Sequence, residues 1–150
     1  MQSIFLLNMA IDIVKILHRH DLRSTTARRL VLKVLVDGKK PLTHKQILQR
    51  IKEEYDSINL VSIYRIIQKF EELGIVHSHS RSGGFTLCSL IGDSGHHVLL
   101  SCEQCGKVEE CMDKELCKKE NEIAKENGFS PTSHLNEIIG VCESCQLCNT

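Results

Sequence analysis

The stretch that decides the fold runs from residue 60 to residue 90 and reads LVSIYRIIQKFEELGIVHSHSRSGGFTLCSL. Its first half is amphipathic at helical spacing. Leu60, Ile63, Ile67, Phe70 and Leu73 recur every three or four positions, while Ser62, Tyr64, Arg65, Gln68 and Lys69 fall on the other side. Gly74 stands where a helix end needs a left-handed residue. The period then changes: IVHSHS and FTLCSL read as two short strands around RSGG, a β-hairpin. A two-residue turn centred on Ser82 and Gly83 places His77 directly opposite Cys88, with His79 and Thr86 on the same face.

Upstream, the pattern predicts three more helices. Residues 9–20 place Ile11, Val14, Ile16 and Leu17 on one face. Residues 24–38 offer Ser24, Thr25 and Thr26 as N-caps, Leu30, Val31, Val34 and Leu35 as an apolar stripe, and Gly38 as a stop. After Pro41, Thr43 caps a helix running to Tyr55 with Ile47, Leu48 and Ile51 inward. Two helices joined by a tight turn, then a hairpin, make a winged helix-turn-helix. The polar stretch IGDSG separates it from a second, smaller unit of strand, strand, helix and strand, in which Asp113 caps the helix and Gly128 ends it. The predicted class is α+β: a winged helix-turn-helix domain over residues 9–90, a linker at 91–95, and a small α/β domain over 96–150 that carries the paired cysteine motifs.

Eight cysteines in a chain whose first residues lack the marks of an export signal point to metal or redox chemistry ahead of disulfides. The run IFLLNMAI has no Lys or Arg before it and no small-residue cleavage site after it, so the expected location is cytoplasmic. Residues 1–8 read as an extension outside the fold. Nothing reaches the length of a membrane-spanning helix. The formal charge is zero, with 19 basic and 19 acidic residues, so affinity for a polyanion must come from local clustering.

The strongest chemical signal is Cys102-x-x-Cys105 with Cys142-x-x-Cys145. Four thiolates suit a tetrahedral zinc ion with no open position, which ties a small domain together and performs no hydrolysis. Both motifs are expected on strand-like segments, whereas a thiol-exchange centre needs one such motif at a helix start. A second constellation mixes donors: His77, Cys88, the pair His96 and His97, and Glu110. Imidazole, one thiolate and a carboxylate form a borderline-soft set that fits zinc better than iron or manganese. Taken singly each has a plainer reading, as a surface histidine, a core cysteine or a solvated glutamate. Spacing leaves open which of His96 and His97 is the ligand. Cys117 and His134, with the other histidine of that pair, form a possible third site. For DNA, Ser62, Tyr64 and Arg65 on the exposed helix face, and Arg23, Arg28 and Arg29 near a helix start, are the candidates for base and phosphate contact.

Several linked segments carry a resemblance. LRSTTARRLVLKVL, VSIYRIIQKFEELGIV, HHVLLSCEQCGKVEE and HLNEIIGVCESC are similar to the DNA-domain helix, recognition helix, histidine-to-cysteine strand and C-terminal zinc knuckle of the ferric uptake regulator family of bacterial metal-responsive repressors. The resemblance covers about Leu22 to Cys145. GIVH followed eleven residues later by the cysteine of FTLCSL resembles the zinc uptake regulator branch. This implies zinc sensing through His77, Cys88, His96 or His97, and Glu110, a homodimer formed through the C-terminal sheet, and repression at a palindromic double-stranded DNA operator. Two features depart from the family pattern: GHHVL puts Leu99 where a histidine ligand is frequent, and Cys117 stands where a second regulatory site usually has Glu. An iron or peroxide sensor on the same fold is the nearest alternative, and a zinc-storage or thiol-redox protein without DNA binding the alternative of another class. No nucleophile and base pair suggests an enzyme.

Overall fold

The computed structural model describes residues 12–90, 97–131 and 136–148, within two compact units, Met1–Ile91 and Gly92–Thr150. The expected extension at 1–8, the linker at 91–95, His96 and His134 lie outside the described residues.

Among the described residues of the first unit, side-chain caps start all four helices. Asp12 accepts the N–H groups of Val14 and Lys15 at the start of α1 (Ile13–Arg19). Of the three candidate caps, Thr25 opens α2 (Thr26–Asp37). Thr43 and Gln46 cap α3 (His44–Lys52) reciprocally. Asn59 accepts the Ser62 N–H at 2.9 Å to open α4 (Leu60–Glu72). Helix α3 ends three residues before the expected Tyr55 because Lys52 to Ser57 are all exposed and give a further turn nothing to pack against.

The apolar faces converge on one core in which Leu17, Val31, Leu32, Ile47, Ile63, Phe70 and Ile75 are fully buried. At about 1.5–3 kcal/mol per large apolar side chain, this cluster is the main force holding α2, α3 and α4 together. Two details depart from the periodicity reading. Helix α1 buries Ile16 and Leu17 with Ile13 packed beside them, and leaves Val14 exposed. The stripe of α2 is centred on Val31, Leu32 and Leu35, with Leu30 and Val34 only partly covered.

The wing pairs β1 (Val76–Ser78) with β2 (Phe85–Leu87), antiparallel, and its register corrects the expected one. His77 lies opposite Thr86, not Cys88. Cys88 donates its N–H to Ile75 at 2.8 Å. The turn is longer than two residues: His79 and Gly84 close it, with the Gly83 N–H bonded to the His79 carbonyl at 2.9 Å. An outside constraint sets this register, since Leu42 and Phe85 exchange backbone bonds and pin β2 to the segment before α3. Side chains alternate with period two, so a slip of two residues leaves His77 and Cys88 on one face as diagonal neighbours.

In the second unit a three-stranded sheet has the order β4-β3-β5, where β3 (His97–Cys102) runs antiparallel to β4 (Val108–Met112) and parallel to β5 (Asn136–Gly140). Helix α5 (Lys114–Glu126), capped by Asp113, connects β4 to β5. A six-residue helix, α6 (Glu143–Cys148), follows where only a strand-like ending was expected. No residue of α5 is buried, and Leu116, Ile123, Phe129 and Ile138 leave apolar surface open.

Candidate metal centres and DNA-reading face

The sequence brings the two cysteine pairs together through two different local folds. Cys102 ends β3, and the chain reverses at once: the Cys102 N–H bonds to the Lys107 carbonyl at 2.8 Å and the Gly106 N–H to the Cys102 carbonyl at 3.0 Å. Gly106 makes the reversal at φ 72°, a conformation that side-chain-bearing residues rarely adopt. The second motif corrects the strand-like expectation: Cys142 precedes α6, and its carbonyl accepts the N–H groups of Cys145 and Gln146. The Cys142 N–H in turn donates to Cys102 Sγ at 3.3 Å.

All four sulfurs lie within 4.8 Å of one another, with Cys102 to Cys145 at 3.9 Å and Cys105 to Cys142 at 3.7 Å. A tetrahedral zinc with bonds of about 2.3 Å requires sulfur separations of about 3.8 Å, so the donor set fits such an ion in both chemistry and spacing. Electrostatics within the quartet are uneven. Backbone N–H groups of Cys105 and then Cys142 stabilise the Cys102 thiolate and bring its pKa down to about 6. Cys145 is pushed up to about 12, first by the hydrogen bond between its thiol and Cys142 and then by burial. The quartet thus opposes ionisation of its last thiol unless a cation neutralises the cluster.

The mixed donors form a pair in each unit. In the wing, His77 and Cys88 offer a ring nitrogen and a sulfur within 4.8 Å, and Cys88 is buried. In the sheet, His97 lies opposite Met112 and Glu110 opposite Leu99, so His97 and Glu110 are diagonal neighbours as well. His97 Nδ1 meets Glu110 Oε1 at 2.5 Å, with both side chains more than nine-tenths buried. Nearby, the buried His79 Nε2 is 2.8 Å from Thr86 Oγ1. Cys117 on α5 lies near the Asn121 amide, and among the described residues it joins no cluster of three or more donors.

On α4, Val61, Tyr64, Arg65 and Gln68 make an exposed stripe, with Val61 59% and Tyr64 48% accessible, while Ser62 is half-buried. Arg23 is exposed; Arg28 is half-buried and its Nη1 donates to the Arg23 carbonyl at 3.0 Å. Two features escaped the sequence reading. Summed over the whole chain the charge is zero, yet residues 1–91 carry fourteen Lys and Arg against eight Asp and Glu, and residues 92–150 five against eleven. The first unit is therefore net basic by six and the second net acidic by six. Splitting the count at the expected domain boundary exposes this. His44, the first residue of α3, stacks on Tyr64 with ring centroids 3.9 Å apart, and no periodicity flags it.

Comparison with known proteins places these features in a family context. The profile described as "Ferric uptake regulator family" matches residues 19–139. A ferric uptake regulation protein of Legionella pneumophila is 31% identical over 126 residues, covering 83% of this chain and 92% of that protein. Among solved structures, a zinc uptake regulator complexed with zinc and DNA superposes with TM-score 0.83 at 23% identity, covering 91% of each chain. The crystal structure of holo XcZur gives TM-score 0.80 at 25% identity, covering 89% of this chain and 93% of that one. Among the described residues no helix is long and apolar enough to cross a membrane.

Proposed function

The chain belongs to the ferric uptake regulator family, and from that premise we propose that it is a zinc-dependent repressor of metal-uptake genes. Like its relatives it is a metal-binding, DNA-binding transcription regulator that works as a dimer, and not an enzyme. The finer reading rests on donor chemistry. The first unit carries the pair His77 and Cys88 and the second the pair His97 and Glu110, and neither pair alone supplies the four protein donors of a closed zinc shell. One thiolate, two imidazoles and a carboxylate favour zinc over the harder, octahedral preferences of iron or manganese. The four-cysteine quartet would hold a separate, structural zinc with no sensing role.

An ion that binds one arrangement of the two units more tightly than the others raises the population of that arrangement. By linkage it raises DNA affinity by the same factor, and coupling of this kind is typically about 5- to 150-fold. The paired recognition helices of a dimer then read the two halves of a palindromic operator, with the net basic first unit supplying phosphate contacts. When zinc is scarce, the operator is released. Such a protein acts in the cytoplasm, where the operator is.

Iron sensing is the second reading, and the name of the Legionella pneumophila relative favours it. The test is Cys88→Ser, titrated with zinc and with ferrous iron while operator binding is followed. Loss of the zinc response with the quartet's zinc retained supports the proposal. An unchanged zinc response, or a stronger response to iron in the wild-type protein, overturns it.

A further inference from the structure

We propose that His44 is a positioning residue for DNA recognition, holding the Tyr64 ring in the orientation in which it meets the duplex. The inference rests on the reading that α4 is the recognition helix, and it adds a residue that does not itself touch DNA. Tyr64 is half-exposed on a surface helix, where a tyrosine ring ordinarily turns among several orientations. Here the His44 imidazole lies against it with centroids 3.9 Å apart and the planes 27° from parallel. The imidazole is braced in turn by Phe85, whose ring meets it edge-on at 4.7 Å and 65°.

Three elements therefore contribute one ring each: the wing strand β2, the first turn of α3, and α4. Neither end of the stack is loose. Phe85 exchanges backbone bonds with Leu42, two residues before His44, and Thr43 between them is locked in its reciprocal cap with Gln46. The imidazole is thus held by a second ring, Phe85, on a wing strand fixed to its own helix start. Stacking restrains both side chains, and the Phe85 contact sets how the imidazole, and with it the phenol, is turned. Val61, 59% exposed and three residues before Tyr64, extends the same surface with an apolar patch. Ring and patch together suit the apolar contact that a thymine methyl offers in the major groove, which demands a fixed ring edge. Desolvation holds the His44 pKa below its ordinary value against the opposing pull of Glu71, which favours the neutral form of the stacked ring.

The experiment is a double-mutant cycle on the zinc-loaded dimer. The probes are a palindromic duplex selected from a random pool by the wild-type protein and a scrambled duplex of the same composition. His44→Ala, and His44→Leu which fills the space without a flat ring, are expected to weaken binding of the selected duplex by about three- to tenfold, the range of an aromatic pair. Binding of the scrambled duplex stays unchanged, and the melting temperature falls by about a few degrees at most, leaving the protein folded under assay conditions. His44→Phe retains most of the affinity, and in a Tyr64→Ala background His44→Ala costs nothing further. The proposal is overturned if His44→Ala is equally harmful with and without Tyr64, or if the scrambled duplex suffers equally. If Tyr64→Ala alone leaves selected-duplex binding intact, the assignment of Tyr64 to DNA has failed, a result distinct from failure of the His44 contact.

Discussion

Leu42 and Phe85 exchange two backbone hydrogen bonds, Leu42 N–H to Phe85 O at 3.0 Å and Phe85 N–H to Leu42 O at 2.9 Å, and so join the wing to the segment that leads into α3. Gly84 makes this approach possible. A Cβ there would lie 2.9 Å from both the carbonyl carbon and the Cβ of Pro41, and 3.0 Å from the Leu42 nitrogen. Two of those atoms are backbone and cannot swing aside. Gly84→Ala should therefore destabilise the first unit by about 1–3 kcal/mol, the usual cost of overpacking, and lower DNA affinity as the wing shifts. Thermal melting and operator titration check this; an unchanged melting temperature would show that the two segments separate freely.

Among the described residues of the second unit, Val98 and Leu99 are the main buried apolar side chains, so a metal in the quartet would carry a large share of its stability. Structural zinc supplies about 10–16 kcal/mol of apparent binding free energy in small zinc domains. Removing it with a strong chelator, or replacing Cys145 by Ser, should make residues 92–150 sensitive to protease while the first unit, with its own core, stays protected. Equal protection of both halves with and without metal would assign the quartet no structural role.

Charge separation between the units sets an expectation for salt. Arg23→Ala should reduce the slope of log affinity against log salt by about one and weaken selected and scrambled duplexes alike, the behaviour of a phosphate contact. Arg65→Ala should instead cost about 1–3 kcal/mol on the selected duplex with little change on the scrambled one, the behaviour of a base contact. Exchange of the two patterns between the residues would reassign their roles.

What the sequence made legible was whatever obeyed a local rule. Helix starts followed from Thr25, one of three adjacent candidates, and from Thr43 and Asp113, which satisfy backbone N–H groups within their own turn. The quartet followed from two equal cysteine spacings. The wing register did not, because Leu42 sets it from more than forty residues away in the chain, beyond the reach of turn arithmetic. The face shared by His77 and Cys88 survived only because the slip was even. Stacking of His44 on Tyr64 was invisible for the same reason, since it joins two helices that periodicity reads one at a time.

Strand β5 lies at the edge of its sheet with Ile138 58% and Ile139 43% exposed, one on each face. An edge of this kind is ready to pair with a second copy. Ile138→Glu places a charge on that surface and should shift the protein from dimer to monomer in light scattering, with operator affinity falling as the second recognition helix is lost. A dimer of unchanged stability would move the interface elsewhere.

Acid should weaken operator binding through His44 as well as through the metal donors, and the two contributions can be separated. Burial lowers the His44 pKa from 6.5, and Glu71 on α4 only partly offsets this; the Tyr64 phenol is the other ionisable group stacked on the ring. The folded state therefore binds fewer protons than the unfolded chain just below pH 6.5, so the stabilisation is complete above that value and is lost as pH falls through it toward the depressed one. Protons also compete with a metal ion for imidazole donors in general, which makes the wild-type profile a composite. The difference between wild type and His44→Phe, measured at saturating zinc, removes the shared part. Affinity for the selected duplex should fall more steeply in the wild type between pH 7 and pH 5.5, and parallel profiles would mean that the stacked imidazole takes no part in the acid response.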